Sequence, residues 1–183
     1  MFRRLQREAR IARTILHLQR SGVTAGKRPI TNYRLPVIQN QGAMHFGERA
    51  RFFGEEARTL LRTAPGAKLI VGDRVLINSG ASIIAHREIE IGSDVLIGNF
   101  VAITDTSSHE IISGEGPRIS KVFIGCNVWI GRGVTILPGV SVGSGSVIGA
   151  GSVVTKDIPE NVVAAGAPAR ILRSLPQSAS PRR

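Results

Sequence analysis

Residues 129–159 read WIGRGVTILPGVSVGSGSVIGAGSVVTKDIP, with a branched aliphatic residue at each sixth position: Ile130, Ile136, Val142, Ile148 and Val154. A period of six matches neither a helix nor a continuous strand. It is even, however, so residues six apart can occupy the same face of short extended segments separated by tight turns. Glycine follows the aliphatic residue at 131, 143 and 149, which suits a corner whose backbone conformation a Cβ resists. Such spacing predicts a parallel β-helix of hexapeptide repeats, an all-β architecture.

The register extends upstream through Val71, Ile77 and Ile83, then Ile91, Ile97 and Ile103, then Ile124. All twelve positions are Ile or Val, although these two types make up only about a fifth of the chain. The phase slips between Ile83 and Ile91, and again between Ile103 and Ile124, where loops would leave the coil. Four residues after each aliphatic position a small or β-branched side chain recurs, as at Val75, Ala81, Val95, Val128, Ser146 and Ser152, with Arg87 as the exception. Three faces of six residues make an 18-residue coil, which stacks Ile130 on Ile148 and Ile136 on Val154.

The 183 residues, 42% hydrophobic with 21 glycines and 4% aromatics, suit one domain filled by branched aliphatics. Cys126 is the single cysteine, so neither an internal disulfide nor a cysteine metal cluster is available. The first 20 residues place Phe2, Leu5, Ala9, Ala12, Ile15 and Leu16 near one helical face with arginines largely elsewhere: a basic amphipathic helix. Two roles stand for it, packing on the domain or a neighbouring subunit, or peripheral association with an anionic membrane surface. This N-terminus lacks the apolar core of a secretory signal, so the expected compartment is the cytoplasm, at the inner face of the membrane if the helix binds there. The expected division is helix and Gly/Pro-bearing linker over 1–36, β-helix over 37–173 with its first coils (37–69) irregular, and a disordered basic tail over 174–183.

The run WIGRGVTILPGVSVGSGSVIGAGSVVTKDIPENVVAAGAPARILR, with INSGASI, IEIGSDVLIG and VAITDTSSHE before it, resembles hexapeptide-repeat acyltransferases, particularly sugar O-acetyltransferases of the galactoside, maltose and capsular polysaccharide type. The resemblance covers about Leu69 to Arg173. It implies a left-handed parallel β-helix, a homotrimer, and acetyl transfer from acetyl-CoA in clefts between subunits to a small-molecule or lipid-linked sugar acceptor. It also implies His109, in the larger insertion, as the general base that takes a proton from the attacking hydroxyl. Asp105 and Glu110 are the nearby carboxylates that could orient its ring. His17 falls in the basic helix, and His45 and His86, in irregular or slipped segments, read as structural.

Asn78, in the INSGAS corner, has two readings: an acceptor-binding or oxyanion-stabilising side chain, or an asparagine tolerating a left-handed turn. The resemblance assigns the oxyanion donor to backbone amide at Gly131 and Arg132. Trp129 has two readings, packing at a subunit contact or a wall for acceptor or pantetheine; Gly149 and Ala150 offer a groove of small residues that suits the slim pantetheine of the coenzyme, and the resemblance implies phosphate contacts from Lys156, Arg170 and Arg173, with Thr155 beside them.

A net charge of +11 raises nucleic acid as a partner, but the coils carry almost no aromatic residues for base stacking, so none is expected. No metal is expected either: a zinc enzyme on a similar tube needs three histidine ligands, and only His86 and His109 fall within the coils. An N-acyltransferase acting on an amino sugar, or a non-catalytic scaffold, are the alternatives to the O-acetyltransferase.

Overall fold

A computed structural model describes residues 2–110 and 113–176. Its strands stack into three parallel faces of a prism. Face one runs Thr24–Ala25, Ala43–Phe46, Lys68–Val71, Glu88–Ile91, Val122–Ile124 and Ser141–Val142; face three runs Val37–Asn40, Leu60–Thr63, Ser82–Ala85, Ala102–Thr104, Thr135–Ile136 and Val153–Val154. Face two runs Ile30–Tyr33, Arg51–Gly54, Leu76–Ile77, Leu96–Ile97, Trp129–Ile130, Val147–Ile148 and Val162–Gly166, and Ala169–Ser174 turns back antiparallel on its end.

All twelve register positions are buried, none more than 3% exposed. Ile130 lies beside Ile148 and Ile136 beside Val154, as the 18-residue coil requires. Of the second inner set, Val75, Ala81, Val95, Val128, Ser146 and Ser152 are buried too. Ser107, which by spacing holds the same place four residues after Ile103, is not inside: its segment leaves the prism, so the hexad register no longer governs it. Arg87 is exposed at a corner.

The corner glycines correct the reading of why they are there. Gly131 does not have positive φ; Gly133, two residues on, does, at +66°. What excludes a side chain at 131 is the next coil: a Cβ there would lie 2.7 Å from the Ala150 nitrogen. Stacked strands about 4.8 Å apart leave no room for it where the backbone turns inward over its neighbour.

Two expectations about the first third of the chain also change. The segment 37–69 is regular, with strands on all three faces in register with the coil above, as Ala43–Phe46 is with Lys68–Val71. Its interior uses Met44, Phe46, Phe52 and Leu61 where later coils use Ile and Val, and the Phe46 and Phe52 rings meet edge to face at 5.3 Å. Nor is 21–36 a linker. Thr24–Ala25 and Ile30–Tyr33 pair in parallel with the coil above, so the prism begins before residue 37.

Helix α1 (Phe2–Arg20) closes the open end of the tube with Ile11, Thr14 and Leu18. Leu18 joins Met44 and Phe46 in the core, a burial contributing about 2 kcal/mol. Polar bonds fix the helix in place: the Thr31 N–H donates to Thr14 Oγ1, Arg10 donates to Asn32 Oδ1, and Arg13 donates to the Tyr33 carbonyl. The expected tail begins at 174, but Ser174 ends the last strand, and residues 177–183 lie outside the described residues.

Candidate active site

Two vertical edges of the prism hold the expected site residues. Between faces two and three the corners at Asn78–Gly80, Gly98–Phe100, Gly131–Gly133 and Gly149–Gly151 stack on one another, each donating a backbone N–H to the coil above or below. Gly131 N–H donates to the Ile148 carbonyl at 2.8 Å and Gly133 N–H to the Asn99 carbonyl at 2.8 Å. The Gly131 amide is thus part of the stacking ladder, which argues against its expected role as an oxyanion donor. The Arg132 N–H enters no backbone ladder bond among the described residues, while the Arg132 carbonyl accepts from Gly151 N–H.

Asn78 uses its side chain for stacking. Its Nδ2 and its backbone N–H both donate to the Ile97 carbonyl, at 2.9 and 3.0 Å. The left-handed residue of this corner is Gly80, at φ +70°, so the turn-tolerating reading of Asn78 does not hold.

Lower on the same edge, Glu56 holds two side chains from later coils: its Oε1 accepts from Asn99 Nδ2 at 2.9 Å, and its Oε2 lies 3.3 Å from Arg132 Nη2. The Arg132 guanidinium also sits 4.9 Å from the centre of the Phe100 ring. Sequence reading missed Glu56 and Phe100, because placing Glu56 beside Arg132 requires counting coils through a segment taken as irregular. Trp129 stands on face two between Leu96 and Val147, 44% exposed.

Farther along this edge the side chains become small. Gly149 approaches Ala165 so closely that a Cβ on it would lie 2.7 Å from the Ala165 Cβ, and Ala150 is exposed beside it. Ser152 Oγ donates to the Gly149 carbonyl and accepts from Gly166 N–H, pinning the final hairpin to the corner. Arg170 stands opposite Ala165 in that hairpin and Arg173 opposite Val163; both arginines are exposed.

The second edge, between faces three and one, carries His109. Thr106–Glu110 pairs antiparallel with Pro117–Ile119 in a hairpin that leaves the prism after Ala102–Thr104, with His109 exposed on it. Ser107 Oγ donates to the His109 carbonyl at 2.7 Å and accepts from Arg118 N–H at 3.0 Å, which braces the strand that carries the imidazole. Neither expected carboxylate orients the ring. Asp105 is fully buried and accepts the backbone N–H groups of His86, Arg87 and Glu88, each at 2.7 Å; Glu110 accepts from Gly114 N–H. At the hairpin's base Lys121 pairs with Glu88 and holds that carboxyl below the usual carboxylate range. Thr155 and Lys156 are exposed higher on this same edge.

Two of the other histidine rings have structural partners, His17 Nε2 lying 2.9 Å from the Pro36 carbonyl and His45 Nδ1 3.0 Å from Thr24 Oγ1, while His86 is held through its backbone N–H. In one chain, then, the structure brings Asn78, Trp129, Arg132, Gly149, Ala150 and Arg170 along one edge and face. His109 and Lys156 lie across face three, roughly 15 Å away for a strand crossing of about five residues.

Residues 121–156 match the model of the bacterial transferase hexapeptide (six repeats). The galactoside O-acetyltransferase of Escherichia coli is 43% identical over 113 residues, 60% of this chain and 56% of the relative, so the match spans only about half of that protein's length. The WbbJ protein of the same organism, named for O-acetyl transfer in lipopolysaccharide biosynthesis, is 36% identical over 148 residues, 74% of each chain. Among solved structures, a galactoside acetyltransferase in complex with coenzyme A superposes with a TM-score of 0.59 at 30% identity, covering 88% of this chain and 70% of that one. With its hexad register, three-faced prism and these relatives, the chain belongs to the hexapeptide-repeat acyltransferase family.

Proposed function

We propose that the protein is a CoA-dependent O-acetyltransferase acting on a sugar or polysaccharide-precursor hydroxyl. The coenzyme-bound galactoside acetyltransferase and the two named O-acetyl transferases support this reading. So does the chain itself: Gly149, Ala150 and Ala165 form a small-residue strip that fits a slim pantetheine arm, with the Arg170 and Arg173 cations beyond it for phosphates.

The observation that carries the proposal is one of position. His109 leaves the prism between the strand Ala102–Thr104 and the strand Val122–Ile124, and Trp129 and Arg132 belong to the coil that Val122 opens. The root of the His109 hairpin and the Arg132 corner thus belong to one coil, on different edges. The reading takes a homotrimer with its axis along the prism, in which one chain's His109 edge meets the next chain's Arg132 edge.

At such an interface His109 takes the proton of the acceptor hydroxyl as its oxygen attacks the thioester carbonyl. The Arg132 N–H receives the charge that builds on the carbonyl oxygen. As the C–S bond breaks, His109 returns the proton to the departing sulfur, so a C–O bond has replaced the thioester bond and His109 ends neutral. Trp129 walls the cleft, and Lys156 with Thr155 meets the coenzyme from the far corner. Acetyl-CoA is consumed as co-substrate.

The test is CoA release across sugars, nucleotide sugars and amino sugars, with His109→Ala beside the parent. Loss of a general base removes about 10²–10⁴-fold of the rate. Full turnover by His109→Ala would end the base assignment, and a preference for amino sugars with N-acetyl products would replace O-transfer by N-transfer.

A further inference from the structure

Helix α1 carries two apolar stripes, and the prism uses only one. Ile11, Thr14 and Leu18 face the first coil and are buried. Phe2, Leu5, Ala9, Ala12 and Leu16 are all exposed, Phe2 at 73%, Leu5 at 60% and Leu16 at 47%. On a helix of 3.6 residues per turn the second stripe lies about 160° from the first, on the side facing away from the protein. A helix needed only as a cap would carry polar residues there.

The charge beside the stripe selects its partner. The helix holds six arginines and one glutamate, with no acidic residue in its first turn. Arg10 and Arg13 are spent on the first coil, but Arg3, Arg4, Arg7 and Arg20 are exposed without a bond to it. Lys27 adds a cation at a groove of about 440 Å³ between the helix and Thr24–Ala25, where Ile15 is partly exposed. Pairing two such helices would press like charges together, so a second copy is a poor occupant. Nucleic acid would satisfy the arginines and leave Phe2, Leu5 and Leu16 in water. An anionic bilayer surface satisfies both, with the rings and leucines among the acyl chains and the guanidinium groups at the headgroups.

We infer that the outer face of α1 seats the protein on an anionic lipid surface. The helix lies in the interface, because no helix among the described residues is long and apolar enough to cross a membrane. With the cap end of the prism on the lipid, its faces stand clear of it. This inference holds whichever acceptor or acyl donor the edges of the prism take.

The test is sedimentation of the full chain with phosphatidylcholine vesicles with and without phosphatidylglycerol, for the parent and for a Leu5→Glu, Leu16→Glu double variant. Both leucines are exposed, so thermal unfolding of the variant should match the parent. The expected result is binding to the anionic vesicles that weakens with salt, and at least about a tenfold lower partition coefficient for the variant. Equal binding by parent and variant would reduce the effect to surface charge and overturn the inference. So would equal binding to vesicles without phosphatidylglycerol, or a change in oligomeric mass in the variant, which would assign the stripe to another copy of the chain.

Discussion

Asp105 and His86, 19 residues apart, are joined by a 2.7 Å hydrogen bond from the His86 backbone N–H to the buried Asp105 carboxylate. The same carboxylate takes the next two amides, Arg87 and Glu88, so it fastens the corner below to the point where the His109 hairpin departs. Its work is structural. Asp105→Ala would leave three partly buried donors without an acceptor and should destabilise the fold by about 2 kcal/mol or more. Asp105→Asn should lose less, because one oxygen remains. Thermal unfolding of both variants checks this. If turnover dropped while Tm stayed put, Asp105 would instead be acting on the imidazole.

Gly131 and Gly133 separate two reasons for a glycine within one corner. The Cβ of an alanine at 131 meets the Ala150 backbone nitrogen at 2.7 Å and should cost about 3 kcal/mol because neither coil can withdraw without breaking its ladder. At 133 nothing lies within 4 Å and only the φ of +66° resists, so Gly133→Ala should cost about 1 kcal/mol. Denaturant midpoints of the two variants, compared at constant slope, decide the order. Equal losses would mean that contact with the next coil is not what limits position 131.

The contrast shows what could be read from residues alone. Ile130, Ile136 and Val142 announce the prism because one branched side chain per face fills its centre, and nothing else repeats at six. Phe46, Phe52 and Leu61 hide the same architecture upstream: bulkier side chains take the interior places next to the helix cap, and the spacing goes from six residues to nine. A glycine's identity is visible in sequence, but whether it serves φ or proximity depends on the coil stacked above. The contact of Glu56 with Arg132 was out of reach for a related reason. Residues 76 positions apart meet only once every intervening loop has been counted out of the stack. His109 was legible as an insertion residue; which edge it occupies was not.

Arg74 and Asp94 stack in one corner, both at positive φ, with two N–H···O bonds of 2.6 Å between guanidinium and carboxylate. That bonding holds the Asp94 carboxyl below its ordinary value and raises Arg74. A depressed carboxylate contributes stability above its unfolded value of about 3.9 and loses it as pH falls through the lower folded value. Asp94→Asn keeps a residue that tolerates positive φ and removes the charge. Its Tm deficit should therefore be present at neutral pH, shrink with added salt because the pair is partly exposed, and vanish in acid. A deficit that persisted unchanged at low pH would place the loss in packing instead of charge.

The His109 hairpin leaves the edge between faces three and one while Arg132 lies on the edge between faces two and three, and this separation makes a prediction about mixtures. His109→Ala removes the imidazole from one edge. Ala150→Trp fills the small-residue strip on the other, where Ala150 is exposed and its side chain has room to cover the groove without entering the core. Each variant alone should be inactive in CoA release. If imidazole and groove come from neighbouring copies, unfolding and refolding the two together at equal ratio gives assemblies in which an intact edge of one chain faces an intact edge of the next. On the order of a quarter of the interfaces then carry both parts, and activity should recover to about that fraction. Were both parts of a site supplied by one chain, every site in the mixture would still carry one defect, and no activity would return. Refolded single variants measure the baseline, and the refolded parent measures the yield.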